Sequence, residues 1–158
     1  PVCDDDILKE LQAALPFEAD PVLLEEIVTQ SCSIPFVGAG EKFFKPGDPA
    51  KGFYWLLSGA ARMVIPEDAP LELPRGFMLG LDSFLLRRPH PFAIETAAEG
   101  AHTLFVNRVS YAHFSEHKNF HRLINKQILY HLDAYRRRLA APQAAGFSDP
   151  GPDPYRLR

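Results

Sequence analysis

The stretch GEKFFKPGDPAKGFYWLLSG, residues 40–59, decides how the rest of the chain is read. Glu41-Lys42-Phe43-Phe44 is brief and half apolar, which predicts a short strand. Pro46-Gly47-Asp48-Pro49 predicts a turn, because proline presets φ and glycine supplies a positive φ without steric cost. Phe53-Tyr54-Trp55-Leu56-Leu57 is dense in aromatic and branched residues that suit a pleated, buried surface. Together they read as a central hairpin, broken at Ser58-Gly59, after which Ala60 to Ile65 extends again. Glycines repeated at strand ends require several tight turns in a small space, the pattern of a small barrel or double-sheet roll.

Outward from this stretch, the chain divides by periodicity. Asp4, Asp5 and Asp6 cap a helix over residues 4–15, with Ile7, Leu8, Leu11 and Leu15 on one stripe. Asp20 and Pro21 open a second helix over 21–31, whose buried face is Val22, Leu23, Leu24, Ile27 and Val28. Cys32 to Val37 predicts the first strand. Pro66 to Pro70 predicts a hairpin tip, and Leu71-Glu72-Leu73 a short strand. Residues 75–93 are the least regular, with a helical turn expected from Leu81 to Leu86. Ala93 to Ala97 and Thr103 to Val106 predict two more strands, and Val109 to His117 a short helix. About eight strands are expected in all.

A long helix is predicted from about Asn119 to Ala141. Phe120, Leu123 and Ile124 would anchor it to the roll. Ile128, Leu132, Tyr135 and Leu139 are spaced 4, 3, 4, the seam of a coiled coil. That seam predicts a homodimer through this helix. The resulting layout is N-terminal helices over 1–31, a β-roll over 32–108 with its irregular corner at 76–93, C-terminal helices over 109–141, and a flexible Pro-rich tail over 142–158.

Composition sets outer bounds. A chain of 158 residues predicts one domain, and 46% hydrophobic residues suit a globular one. Seventeen basic residues against twenty acidic give −3, with no basic excess to predict nucleic-acid contact. No apolar run predicts a membrane span, and the acidic start lacks signal-peptide character, so a cytoplasmic location is expected. Cys3 and Cys32 lack CxxC spacing and do not predict a metal or iron–sulfur site. His-x-His, Gly-x-Ser-x-Gly and a phosphate-binding Lys loop are all missing, so no enzymatic activity is predicted.

The succession G-E-x-x-F-x-x-G-D, then F-Y-W-L-L-S-G, then R-M-V-I resembles the cyclic-nucleotide-binding domain. It is most similar to the sensor half of the bacterial regulators related to catabolite activator protein and the fumarate–nitrate regulator (CRP/FNR), over roughly residues 15–141. The resemblance implies a mainly β fold, an antiparallel double-stranded β-helix or jelly roll with two N-terminal helices and a long C-terminal helix. It implies a ligand-sensing role, with a phosphate-binding cassette at Gly80, Leu81, Asp82, Ser83, Pro91, Phe92 and Ala93.

The family's cassette reads Phe-Gly-Glu and then Arg-(Ser/Thr)-Ala; here the slots read Leu79-Gly80-Leu81 and Pro91-Phe92-Ala93. The glutamate that would accept from the ribose and the arginine that would pair with the phosphate are both replaced. Cyclic AMP binding of the usual kind is therefore not expected, although a small effector is. Leu-Gly-Leu-Asp-Ser followed by His90-Pro91-Phe92-Ala93 looks closer to the oxygen- and nitric-oxide-responsive branch, whose N-terminal cysteine cluster is lacking. No DNA-binding pattern follows Pro142, and the tail reads as the ending of a lone sensor, with a fragment of a longer regulator as the alternative.

Single residues carry two readings each. Arg87 and Arg88 could replace the lost arginine, but a solvated loop pair is the plainer reading. His90 reads as a loop histidine held by rigid neighbours, with haem ligation or a pH response as the functional alternatives. Asp82 reads as a helix cap before it reads as a ligand acceptor, and Tyr54 and Trp55 read as core before pocket. His113, His117 and His121 have zinc-compatible spacing, yet with His131 they read as a solvated helix face.

Overall fold

The computed structural model describes residues 4–140. Two helices come first, α1 (Asp4–Ala14) and α2 (Pro21–Gln30). Asp20 caps α2 by accepting from the Val22 N–H at 3.0 Å. Strands β1 (Cys32–Phe36), β2 (Lys42–Phe44), β3 (Gly52–Val64), β4 (Leu71–Leu73) and β5 (Met78–Leu79) follow. Helix α3 (Leu81–Leu86), strand β6 (Ala93–Asn107), α4 (Arg108–Phe114) and α5 (Phe120–Ala140) complete the order.

The six strands form one antiparallel sheet in the order β1-β6-β3-β4, with β2 added on β6 and β5 on β3. The long strands β3 and β6 pair from Gly52↔Asn107 to Val64↔Ala93 and serve both halves of the sheet. β6 holds β2 near Glu95 and β1 between Ala101 and Phe105, while β3 holds β5 at Tyr54–Trp55 and β4 at Ala61–Met63.

Three expectations change here. The opening stretch is not a hairpin: β2 and β3 do not pair with each other, and both pair with β6. Ser58-Gly59 does not break the strand. β3 passes through it with register shifts between Leu56 and Ser58 and between Gly59 and Ala61, the mark of bulges. Gly59 has φ +82°, and a Cβ there would sit 2.5 Å from the Gly100 carbonyl oxygen, so only glycine fits. The two strands expected at 93–97 and 103–106 are likewise one, which reduces about eight strands to six. The predicted tail over 142–158 lies outside the described residues.

β3 is apolar from Phe53 to Leu57 because its two faces feed two cores. Phe53, Trp55 and Leu57 pack under α1, α2, α3 and the start of α5. Leu56 and Ala61 pack inside the roll with Phe43, Phe44, Phe77 and Ile94, and Tyr54 flanks them. Trp55 is fully buried, and its indole N–H donates to the Gly76 carbonyl at 2.9 Å. His102 ties α1 to the sheet edge, contacting Glu10 through Nδ1 at 2.8 Å and Ser33 through Nε2. Among the described residues, no helix is long and apolar enough to cross a membrane.

Candidate functional site

The irregular corner is built around His90. The turn predicted at Pro46–Pro49 clamps its backbone from both sides: the His90 N–H donates to the Asp48 carbonyl at 2.9 Å, and the Gly47 N–H donates to the His90 carbonyl at 2.8 Å. β2 supplies Phe44, whose ring stacks on the imidazole at a centroid distance of 3.7 Å. Gly80 lies against both rings, with φ +85° at the N-terminus of α3. A Cβ on Gly80 would meet His90 Cε1 and Phe44 Cε2, both at 2.7 Å. The position thus needs glycine for its dihedral and for its packing.

α3 then turns back toward the sheet. Arg87 ends it in the left-handed region at φ +54°, its N–H donating to the Phe84 carbonyl. Arg108 secures the same end: its guanidinium lies 4.1 Å from the Phe84 ring centroid and donates to the Ala50 and Phe84 carbonyls.

A cavity of about 220 Å³ opens between α3, the His90 segment and the roll. Gly80, Asp82, Ser83, Pro91 and Phe92 of the predicted cassette line it, together with Arg88, His90 and Tyr135. Leu81 lines an adjoining apolar cavity of about 280 Å³, and Ala93 is buried at the start of β6. Met63, Gly80, Asp82, Ile94 and Tyr135 line both spaces.

The electrostatics differ from an anion site. Leu81 is 2% exposed and belongs to the core under α1 and α2. Pro91 is exposed and offers no donor. Both arginines are exposed; Arg88 also borders the cavity and lies 3.6 Å from the exposed Asp82 carboxylate. Arg62 and Lys42 turn to Glu95, and the hydrogen bond from Arg62 is the main reason that this carboxyl titrates below its ordinary range.

Among the described residues, two polar atoms here have no hydrogen-bond partner: Ser83 Oγ and His90 Nε2. Their residues are 1% and 2% exposed. His90 is the loop histidine expected from its flanking prolines, and it is buried as well. Burial pushes its imidazole below the ordinary histidine range, against the pull of Asp82 and Asp48. Tyr135 is pushed up to about 12, by burial first and Asp82 second, and stays a protonated phenol.

α5 contributes more to this site than its sequence suggests. His131 is not on a solvated face. It stacks on Phe77 at 4.1 Å and accepts the Met78 N–H at 3.1 Å through Nε2, close to Gln127 Nε2 at 2.9 Å. The row turned to the roll runs Leu123, Gln127, Tyr130–His131 and Ala134–Tyr135, a 3–4 stripe hidden in the sequence by its polar members. Tyr135, placed by its spacing in a dimer seam, packs edge-on to Phe77 at 5.8 Å. Ile128 and Leu132 remain 37% and 51% exposed; the side chain of Leu139 is outside the described set. His113 meets Glu26 and His117 accepts from the Asn119 N–H, and among the described residues no three metal-binding side chains converge.

No family model matches the sequence, and no curated protein does. Solved structures do match. The regulatory domain of Toxoplasma gondii PKA with cAMP aligns at TM-score 0.61 and 14% identity, over 80% of this chain and 50% of that one. A structure of Sp-2Cl-cAMPS bound to PKAR CBD2 aligns at TM-score 0.59 and 14% identity, over 87% of each chain. A cAMP-binding acyltransferase from Mycobacterium smegmatis aligns at TM-score 0.54 and 23% identity, over 69% of this chain and 35% of that one. This chain spans half or less of the length of the Toxoplasma and mycobacterial proteins. With its antiparallel roll, flanking helices and long C-terminal helix, the chain has the fold of cyclic-nucleotide-binding domains.

Proposed function

We propose that this chain is a non-enzymatic, cytoplasmic ligand-sensing domain of the catabolite-activator and fumarate–nitrate type, whose effector occupies the cavity under the cassette and is not cyclic AMP held in the usual way. The observation that carries this reading is the burial of Leu81 in the core where the family resemblance calls for a ribose-binding glutamate. Pro91 stands where the phosphate-pairing arginine of the resemblance would be, and Asp82 lines the same cavity. A cyclic phosphate there would lose its counter-charge and its ribose acceptor, a cost on the order of several kcal/mol. The fold of the cyclic-AMP-bound neighbours supports the sensing role. Titration calorimetry with cyclic AMP and cyclic GMP tests it: no heat of binding at 100-micromolar scale is expected on general affinity grounds. Micromolar or tighter capture of cyclic AMP would overturn the reading.

A homodimer through α5 accompanies this proposal. It is favoured by the row Ile128, Leu129 and Leu132, which are 37%, 64% and 51% exposed on one helix. Large apolar side chains grouped in this way mark interaction surfaces. A following DNA-binding domain would make the chain the sensor half of a transcription regulator; without an effector it would act as an interaction module.

A further inference from the structure

Three side chains from three separate elements meet in a chain of two hydrogen bonds. Glu10 stands on α1, on the flank of its buried stripe, one turn from Ile7 and Ala14. His102 lies on β6, and Ser33 lies on β1, the strand at one end of the sheet. β1 and β6 pair Ser33 with Leu104 and Pro35 with His102, so Ser33 and His102 are diagonal neighbours on one face. Glu10 Oε2 lies 2.8 Å from His102 Nδ1, and His102 Nε2 is hydrogen-bonded to Ser33 Oγ. The Glu10 and His102 side chains are 30% and 17% exposed, whereas Ser33 is fully in the exposed class. None of the three lines either cavity described above.

We infer that Ser33 is an acyl-acceptor site, a nucleophile activated by His102 and Glu10 that takes the acyl group of an activated ester or thioester.

The order of the atoms carries this assignment. A carboxylate on Nδ1 holds the neutral imidazole in the tautomer with its proton there, which leaves Nε2 as an acceptor for the serine hydroxyl. A nucleophile bonded to a base that a third group orients is the geometry that activates serine. Fastening α1 to the sheet accounts for Glu10 and His102, but not for an exposed hydroxyl on the second ring nitrogen. In the step, Ser33 Oγ bonds to the carbonyl carbon while its proton passes to His102 Nε2. The Glu10 charge stabilises the imidazolium that results. The leaving thiolate or phenolate then departs with that proton, so an ester remains on Ser33 and the ring is neutral again. The exposure of Ser33 selects the donor class. Water meets the developing oxyanion there, so only a carbonyl with a good leaving group reacts. The outcome is a modification of the chain and not turnover, and it does not depend on what the cassette cavity holds.

The test uses the full 158-residue chain as Cys32→Ala, because the exposed thiol next to Ser33 would compete for the donor. The donor is 4-nitrophenyl acetate, and peptide mass spectrometry follows the acetyl group on Ser33 at early times. Adding His102→Gln should slow acetylation of Ser33 about a hundredfold, the lower end for a lost general base. Glu10→Gln keeps a carbonyl oxygen for Nδ1 and removes only the charge, so it tests the site without freeing α1; there the rate should fall about tenfold. A purely structural cluster would change Tm in these variants and leave the rate at Ser33 as it was. Equal rates in all three chains, or a Ser33 acetylated no faster than the chain's other serines, would overturn the assignment and leave the cluster as a strap between α1 and the sheet.

Discussion

His131 on α5 accepts the backbone N–H of Met78 on β5 at 3.1 Å, two residues before Gly80. The long helix is thereby bonded to the strand that leads into Gly80 and α3. An effector that displaces α3 or Gly80 would pull on α5 through this bond, which gives the fold a direct connection between site and helix. The bond requires a neutral imidazole, because a protonated Nε2 would present its proton to another donor.

Burial lowers the His131 pKa from 6.5 to about 4, with Asp82 pulling the other way. In the unfolded chain the ring takes up its proton near the ordinary value, whereas in the folded chain it resists until about 4. The stability tied to His131 is therefore complete above pH 6.5 and is lost as the pH falls toward 4, by on the order of 3 kcal/mol in all. Urea denaturation at pH 7 and pH 5 should show a steeper loss in the native chain than in His131→Gln. Parallel losses in the two proteins would remove His131 from the account.

Ser83→Ala should stabilise the ligand-free chain. The hydroxyl is buried without a partner, and removing it relieves a desolvation cost of about 1 kcal/mol, with a further gain in helix propensity on α3. Scanning calorimetry should record a rise in Tm. A fall would mean that the hydroxyl has a partner in solution.

Gly80→Ala should do the opposite. The new methyl would lie 2.7 Å from both His90 and Phe44, at a φ of +85° that alanine avoids. A loss of about 2 kcal/mol or more is expected from strain and overpacking. Chemical denaturation would show it, and an unchanged midpoint would mean that the two rings are not held in their stacked position.

Leu132→Asp should halve the mass seen by light scattering if α5 pairs with a second copy, since Leu132 is 51% exposed and its change leaves the core untouched. A native chain that is already monomeric at micromolar concentration would remove the dimer.

The legible parts of the fold were those set by local pattern. Asp20-Pro21 announced α2, and the turn around Gly47 was visible from its own dihedral needs. The strand that continues through Ser58-Gly59 was not, because a bulge is fixed by the partner strand: the carbonyl of Gly100 is what excludes a side chain at Gly59. At the site, the short helix from Leu81 to Leu86 was legible, but the burial of His90 was not. Its burial depends on Phe44 and Asp48, more than 40 residues away in the chain. Tyr135 illustrates the same limit: its heptad-like spacing is real, yet the Phe77 ring decides which way it faces.

The alternation along Phe53–Leu57 also determines where this chain can change length. One inserted residue there would send Trp55 into the roll and Leu56 beneath the helices, exchanging the occupants of both interiors at once. Nothing of that kind constrains Pro66–Pro70, whose exposed tip bears on neither interior. Insertions should therefore be tolerated at the tip and lethal to folding ten residues upstream, so that a homologue of different length is to be aligned with its gap between Val64 and Leu71.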